Sequence, residues 1–307
     1  MTRIRDRRPG ARPRRRGDAG YVTVVVLTFA GLLAALVAAT LNVARPSIGQ
    51  ALINIDDMQA DGLLDAGVAS AGLALFGGNR PSQTVDGYEM ALETGALRLT
   101  VTPEGGRIDL NGAPRQVLSG LYEAVGTGAL KPDEFAARVM DWRDRNKKAR
   151  PGGADTDDYE QLGLDYGPRN GPFLSVEELM LLPGMTEADY GRLAPYLTVF
   201  NPTGEIDPAG ASVEALLAVP NMTETEAANI KAAFANPQVP RRDRNRLIRP
   251  YRSFLSPQGN DVFRVVVEAR LKNGYTKSVE TVLMSGFRRV PYYVLYWRVL
   301  YPTEAAS

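Results

Sequence analysis

The 307-residue sequence contains neither cysteine nor histidine. The absence of cysteine excludes disulfide bonds, thiolate nucleophiles and zinc sites with cysteine ligands. The absence of histidine excludes imidazole as an acid, a base or a metal ligand. A membrane-tethered hydrolase using carboxylates stays an alternative, but the sequence shows no recognisable nucleophile–base pair.

Charge is missing between Asp18 and Arg45, and the apolar run Tyr21–Ala44 lies in that interval. As a helix, the uncharged stretch would be about 39 Å long, enough to cross a hydrocarbon core of about 30 Å. Eight arginines precede it. The sequence therefore predicts a cytoplasmic basic leader (residues 1–20), a transmembrane helix (residues 21–44) and an exported C-terminal part. The predicted cleavage site is at a glycine, between Gly20 and Tyr21, with Gly17 as the alternative.

The net charge of +1 conceals an asymmetry along the chain. The first 20 residues carry +6, so the residues that follow carry −5. A mildly acidic body has no general attraction for nucleic acid, and we expect no nucleic-acid partner.

Strand patterns occur in two separated parts of the chain. Leu97, Leu99 and Val101 alternate with polar residues, and Phe263–Leu271 alternates before the turn signal Asn273-Gly274. Tyr275–Met284 and Tyr292–Tyr301 are the next predicted strands. Mostly helical sequence separates the two parts. We therefore predict an α+β fold in which a long N-terminal helix, Tyr21–Phe76, packs on a small antiparallel sheet interrupted by a large helical insertion.

The helical block contains an internal repeat. Ser175–Leu193 and Ser212–Ile230 are identical at eight of 19 aligned positions. Each copy is predicted to form a helix, a Pro-x-Met-Thr hairpin and a second helix with Thr186 or Thr223 as its N-cap. Helix-hairpin-helix units can bind a DNA backbone, so an anchored DNA receptor is the main alternative function. Acidic residues after both hairpins favour a packing role instead: Glu187, Asp189, Glu224 and Glu226.

An acidic segment between residues 141 and 158 is the candidate metal site. Asp144, Asp155, Asp157 and Asp158 could supply oxygen ligands to Ca²⁺, although their spacing is not that of an EF-hand loop. Spacing alone favours the alternative, a solvated acidic loop paired with Arg143, Arg145, Lys147 and Lys148.

Taken together, these motifs resemble the K-type minor pseudopilins of bacterial type II secretion (general secretion pathway protein K). The residues that carry the resemblance extend in order along the chain: Arg14–Tyr21, Gly106–Asn111, Asp141–Asp144, Gly153–Asp155, Tyr159, Asn170–Phe173, Ser175–Leu179, Pro183–Met185 and the hairpin repeat.

The resemblance implies a non-enzymatic protein with a pilin-like fold and no organic cofactor. It implies cleavage after Gly20 and N-methylation by a prepilin peptidase, a single-pass location in the inner membrane with a periplasmic C-terminal domain, and assembly with I-type and J-type minor pseudopilins and other pseudopilins of the fibre. It also supports calcium at the aspartate cluster. The corresponding regions are the leader (1–20), the transmembrane helix (21–44), two pilin-like parts (45–105 and 253–307) and the helical insertion (106–252). Pilins generally carry glutamate at the fifth mature position; Val25 stands there in this sequence, as the resemblance implies for a terminal subunit.

Overall fold

The computed structural model describes residues 18–77, 85–125, 128–146, 148–201, 203–257, 261–287 and 290–300, without the side chains of residues 18–22 and 39–53. Nearly all of the predicted leader therefore lies outside the described residues. The chain divides into two compact units, residues 1–58 and residues 59–307.

The first unit is described from Asp18, where helix α1 (Asp18–Phe76) begins. This helix includes the predicted helix Tyr21–Phe76. In the part of α1 that belongs to the first unit, most of the described apolar side chains are exposed, among them Leu27, Phe29 and Leu33. Within the described part of the chain, no helix combines the length and the apolarity needed to cross a membrane. The transmembrane span predicted at residues 21–44 is therefore not confirmed, and the side chains of residues 39–44 lie outside the description.

The second unit contains seven strands and seven further α-helices among its described residues. In chain order these elements are β1 (Glu89–Ala91), β2 (Gly95–Pro103), β3 (Ile108–Asp109), α2 (Arg115–Ala124), α3 (Pro132–Arg143), α4 (Thr156–Gln161), α5 (Glu187–Leu193), β4 (Leu197–Thr198), α6 (Val213–Leu217), α7 (Glu224–Ala235), α8 (Arg241–Ile248), β5 (Val262–Leu271), β6 (Thr276–Ser285) and β7 (Tyr292–Leu300). Short 3₁₀ helices cover Glu104–Gly106, Val176–Leu181, Ala194–Tyr196 and Arg249–Tyr251.

Five of the strands form one antiparallel sheet in the order β1-β2-β5-β6-β7. Strand β2 pairs directly with β5, from Gly95 opposite Leu271 to Pro103 opposite Phe263. The predicted split of the sheet by a helical insertion is thus confirmed, as is the mixed α+β class. The turn at Asn273-Gly274 joins β5 to β6, and Gly274 adopts a φ of +91° that a side chain would disfavour.

Two hydrophobic clusters fill the second unit. In one, Leu64, Val68 and Ala71 of α1 share a core with β2 and β5. Helix and sheet approach closely at Gly67, where an added Cβ would lie 2.5 Å from Cγ1 of Val267. The other cluster lies in the segment between β2 and β5 and is centred on residues such as Leu118, Leu121, Phe135, Leu179 and Leu216. The boundaries predicted for the five regions stay predictions.

The two sequence repeats have related local structures. Thr186 accepts a hydrogen bond from the backbone N–H of Asp189 (3.1 Å), and Thr223 accepts one from that of Glu226 (3.3 Å), so both predicted N-caps are confirmed. Gly184 and Asn221 occupy the same position in the two turns, and both have positive φ, 72° and 61°. The first segment of the first repeat is a 3₁₀ helix, whereas that of the second is the α-helix α6. The helix-hairpin-helix assignment itself stays a prediction.

Candidate functional site

The predicted processing residues lie at the start of α1. Gly20 and Tyr21 fall within the first turns of a helix that begins at Asp18. Their side chains are outside the described set, so the processing prediction stays untested.

The four predicted calcium ligands lie at the ends of two helices, α3 and α4. Asp144 follows the last residue of α3 and accepts a hydrogen bond from the side chain of Asn146 (2.6 Å). Asp155 is the N-cap of α4: its Oδ1 accepts from the backbone N–H of Thr156 (2.7 Å). Asp158 completes a capping box by accepting from the backbone N–H of Asp155 (2.8 Å), while Asp157 is exposed.

These four carboxylates are not gathered around a single point. Among the described residues, no group of three or more acidic side chains is arranged to hold a metal ion. One atom nevertheless lacks a partner: Oδ2 of Asp155 is buried and accepts no hydrogen bond. A buried carboxylate oxygen without a donor is costly, and a bound cation would satisfy it.

Asp141, rather than a predicted ligand, organises the loop between α3 and α4. It is 1% exposed and accepts hydrogen bonds from the backbone N–H groups of Arg150 (3.0 Å) and Ala154 (3.1 Å). The guanidinium of Arg150 also bridges Asp141 and Asp144. Burial raises the pKa of Asp141, although the hydrogen bonds from Arg150 oppose that rise. The ion pairs of this loop thus come from Arg150. Among the described residues, the predicted partners Arg143, Arg145 and Lys148 form none, and Lys147 lies outside the described residues.

The Ile108–Asn111 motif connects distant loops. The side chain of Asn111 donates to the carbonyl of Phe173 (3.0 Å) and accepts from its N–H (2.7 Å), as a strand partner would. Trp142 donates through Nε1 to buried Glu178 (3.0 Å), which also binds Arg169. Hydrogen bonds between motif residues so far apart in sequence hold the segment between β2 and β5 together, which is a structural role.

The first hairpin is engaged within the chain. The guanidinium of Arg138, on α3, donates to the carbonyl oxygen of Pro183, and the same side chain lies against Gly184. An N–H-lined surface for phosphate would need an open approach and basic neighbours. Here the side chain of Arg138 covers the hairpin and packs against it, which indicates a structural contact between α3 and the first repeat.

A cavity of about 310 Å³ lies beside β7 and is lined by charged groups that neutralise one another. Arg298 lies 3.6 Å from Glu177 and 3.4 Å from Glu280, and Arg264 also pairs with Glu280. Burial raises the pKa of Tyr296 to about 12, so its hydroxyl is protonated at neutral pH. This ion-paired lining points to a structural junction and shows no activated nucleophile.

Strand β7 is the largest functional candidate that the sequence did not indicate. Among the described residues it is an edge strand of nine residues, paired on one side with β6 and on the other with no strand. Four of its apolar side chains are 38–47% exposed: Tyr293, Val294, Leu295 and Trp297. Edge strands are generally protected by charge or shortness. The opposite edge, β1, has three residues and carries Glu89. The signal in the sequence was the apolar run Tyr292–Trp297, which lacks the alternation seen in β5 and ends at Arg298.

Comparisons with known proteins agree with the resemblance inferred above. Residues 100–203 match the family model "Type II secretion system (T2SS), protein K". A protein of that name from Klebsiella pneumoniae is 26% identical over 200 residues, which are 58% of this chain and 61% of the relative. Its counterpart from Pseudomonas aeruginosa is 29% identical over 152 residues, 44% of each chain. The resemblance is therefore confirmed, while the matches span less than two thirds of these relatives.

A solved structure has a similar fold. The match is to a chain of the GspK-GspI-GspJ complex from the type 2 secretion system of enterotoxigenic Escherichia coli. The TM-score is 0.60 at 15% identity, with 83% of this chain and 99% of that chain covered. At this identity the likeness shows the fold.

Proposed function

We propose, from the similarity of residues 100–203 to protein K of type II secretion, that this chain is a minor pseudopilin at the tip of a periplasmic pseudopilus. That similarity is the observation that carries the proposal, because the matched region contains the hydrogen bonds of Asn111, Trp142 and Glu178 that hold the helical segment together. The similar fold supports it. In this role the chain acts by shape and packing, not by catalysis. Its helical insertion provides bulk at the tip, and its hairpins serve as helix-hairpin-helix packing modules.

The proposal includes an anchored precursor. The leader (1–20) is cytoplasmic, residues 21–44 cross the inner membrane, and prepilin peptidase cuts after Gly20 and methylates Tyr21. Mass spectrometry of the N-terminus, with and without the peptidase, tests this step. A leader that stays intact in both strains would contradict it.

The partners in this proposal are I-type and J-type minor pseudopilins, and the open edge of β7 is the surface that meets them. An exposed apolar strand can bury aromatic side chains and pair its free backbone groups with another chain. We expect Trp297→Glu to weaken co-purification with the two partners at least about tenfold, since aromatic residues often dominate interfaces.

The matched control is Tyr88→Glu, which makes the same kind of change at a 47% exposed aromatic residue just before the opposite edge strand. Equal binding by Trp297→Glu and the unaltered chain would remove the β7 edge from the proposal. Failure of the unaltered chain to bind either partner would overturn the pseudopilin function.

Calcium binding is proposed at the start of α4, with Asp155 as the central ligand and Asp144, Asp157 and Asp158 as candidates for the remainder. The unpartnered Oδ2 of Asp155 supports this choice. Calcium at about 100 times its Kd should raise the free energy of unfolding by about 2.7 kcal/mol. Asp155→Asn keeps an N-cap oxygen but removes the charge, and should abolish this gain.

Asp133→Asn, at an exposed carboxylate on α3, is the control for general charge effects. The measurement is denaturant unfolding with calcium or with chelator. An equal calcium effect in the Asp155→Asn variant and the unaltered chain would exclude Asp155 as a ligand.

A further inference from the structure

The segment Arg241–Arg252 is strongly basic in an otherwise acidic chain. It contains six arginines, no lysine and one aspartate, a charge of +5 in 12 residues. With +1 on the whole chain and +6 on its first 20 residues, the remainder carries −10. This concentration of positive charge serves none of the contacts assigned above.

Four of these arginines lie on one exposed side of α8 and of the 3₁₀ turn that continues it from Arg249. At about 100° per residue, Arg241, Arg242, Arg246 and Arg249 fall within an arc of about 140°, and all four are exposed. Buried Ile248 lies about 20° from Arg241, at the border of this arc, where the helix meets the body of the protein. We call these four residues the arginine face.

Arg244 has a different role from the arginine face. It is half-buried, and its guanidinium lies over the ring of Phe234 on α7, with 5.5 Å between Cζ and the ring centroid. This contact fixes α8 against α7 and so presents the arginine face on a rigid element.

The arginine face is poorly neutralised by its own chain. Among the ion pairs of the described residues, one reaches it: Arg246 to Asp243, at 4.0 Å between exposed side chains. Several arginines elsewhere have closer carboxylate partners; Arg169, for example, lies 2.6 Å from Glu178. The guanidinium groups of α8 are therefore available to an external anion.

A groove with a mixed polar and apolar lining adjoins this face. It encloses about 340 Å³. Its lining includes both apolar and charged side chains: Ile248, Leu255, Pro257, Arg249, Arg252 and Glu205. A ligand that bridges the groove and the face needs carboxylates and small apolar groups together.

We propose that the arginine face and its groove dock an acidic, partly apolar segment of another protein. Arginine binds carboxylates in a bidentate manner and is enriched at protein interfaces, where lysine is depleted. A membrane surface fits less well, because Leu247 is the exposed large apolar side chain of α8 and Ile248 is buried. A nucleic-acid backbone would meet Glu205 in the groove and Asp243 on α8. This proposal does not depend on the pseudopilin assignment.

Fluorescence anisotropy with the full chain in detergent tests the proposal. The probe is a short labelled peptide in which glutamate alternates with leucine, and its glutamine analogue is the reference. We expect saturable binding of the glutamate peptide that weakens as salt rises. The triple variant Arg242→Gln, Arg246→Gln, Arg249→Gln should bind about tenfold more weakly, from several exposed ion pairs lost together.

The matched control is Arg98→Gln, Arg270→Gln, Lys272→Gln, which removes the same charge from exposed positions in or beside the sheet. Thermal unfolding confirms that both triple variants are folded. An equal loss in the control, or undiminished binding by the α8 variant, would overturn the proposal. Tighter binding of the unaltered chain to anionic phosphatidylglycerol vesicles or to duplex DNA than to the peptide would also overturn it.

Discussion

Replacing Glu104 by alanine should lower the free energy of unfolding by about 3–5 kcal/mol, because it leaves a buried arginine without its main partner. Glu104 is fully buried and holds Arg264 through two contacts, 2.6 Å from Nη2 and 3.0 Å from Nε. It also accepts a hydrogen bond from Thr198 (2.5 Å). Glu104 thereby joins β5 of the five-stranded sheet to β4, which pairs with β3 in a separate two-stranded sheet.

These carboxylates stabilise the charged guanidinium of Arg264. Burial alone would lower the pKa of its guanidinium, but Glu104 and Glu280 together raise it. Without Glu104, the cation keeps only Glu280 and the face of the Tyr296 ring, 5.8 Å from Cζ. The loss therefore comes mainly from the desolvated charge that remains.

A double variant separates this cause from lost packing. Glu104→Leu with Arg264→Met removes both charges and keeps most of the volume, so it should be more stable than Glu104→Ala. Urea unfolding of the three proteins gives the comparison. If Glu104→Ala is as stable as the double variant, the unpaired arginine is not the source of the loss.

The strands of the sheet could be predicted from the sequence, because the alternation of polar and apolar residues that marks a strand is complete within a few residues. The alternation in Phe263–Leu271 and the Asn273-Gly274 turn determine β5, β6 and their register without distant information. The hairpin caps Thr186 and Thr223 are equally local. The exposure of β7 could not be predicted in this way. Its apolar run is typical of a buried strand, and only the strand order of the folded sheet shows that β7 lies at an edge.

The candidate site illustrates the same limit. Aspartates close in sequence suggested one ligand cluster, but two of them, Asp155 and Asp158, satisfy the start of α4. Carboxylates at a helix N-terminus accept hydrogen bonds from backbone N–H groups that have no partner within the helix. A cluster of aspartates at such a position can therefore reflect helix capping as well as metal binding. Asp109 belongs to the Gly106–Asn111 motif, but the residue that donates to it, Asn201, is 92 residues away in the sequence. No local pattern could predict that hydrogen bond.

Asp109→Ala should lower the free energy of unfolding by about 3 kcal/mol, because three backbone N–H groups lose the carboxylate that accepts their hydrogen bonds. The carboxylate accepts from the N–H groups of Asn111 (2.7 Å), Gly112 (2.8 Å) and Asn201 (2.9 Å), and it is 2% exposed. Asp109→Asn should lower the free energy of unfolding by less, because its carboxamide oxygen can still accept hydrogen bonds. Some loss remains, because its NH₂ group cannot accept from the N–H group that it faces.

The same residue predicts a dependence on pH. Desolvation raises the pKa of Asp109 above 3.8, and the three N–H groups only partly oppose that rise. The folded chain therefore binds this proton more readily than the unfolded chain does. Its contribution to stability grows as pH falls through the raised pKa and is complete below 3.8. Asparagine cannot titrate, so the stability advantage of the unaltered chain over Asp109→Asn should widen on acidification through this window.

Urea unfolding of both chains at a series of pH values measures the difference between their free energies of unfolding, in which the other titrating groups cancel. A gap that narrows as pH falls would mean that the hydrogen bonds outweigh burial at this carboxylate.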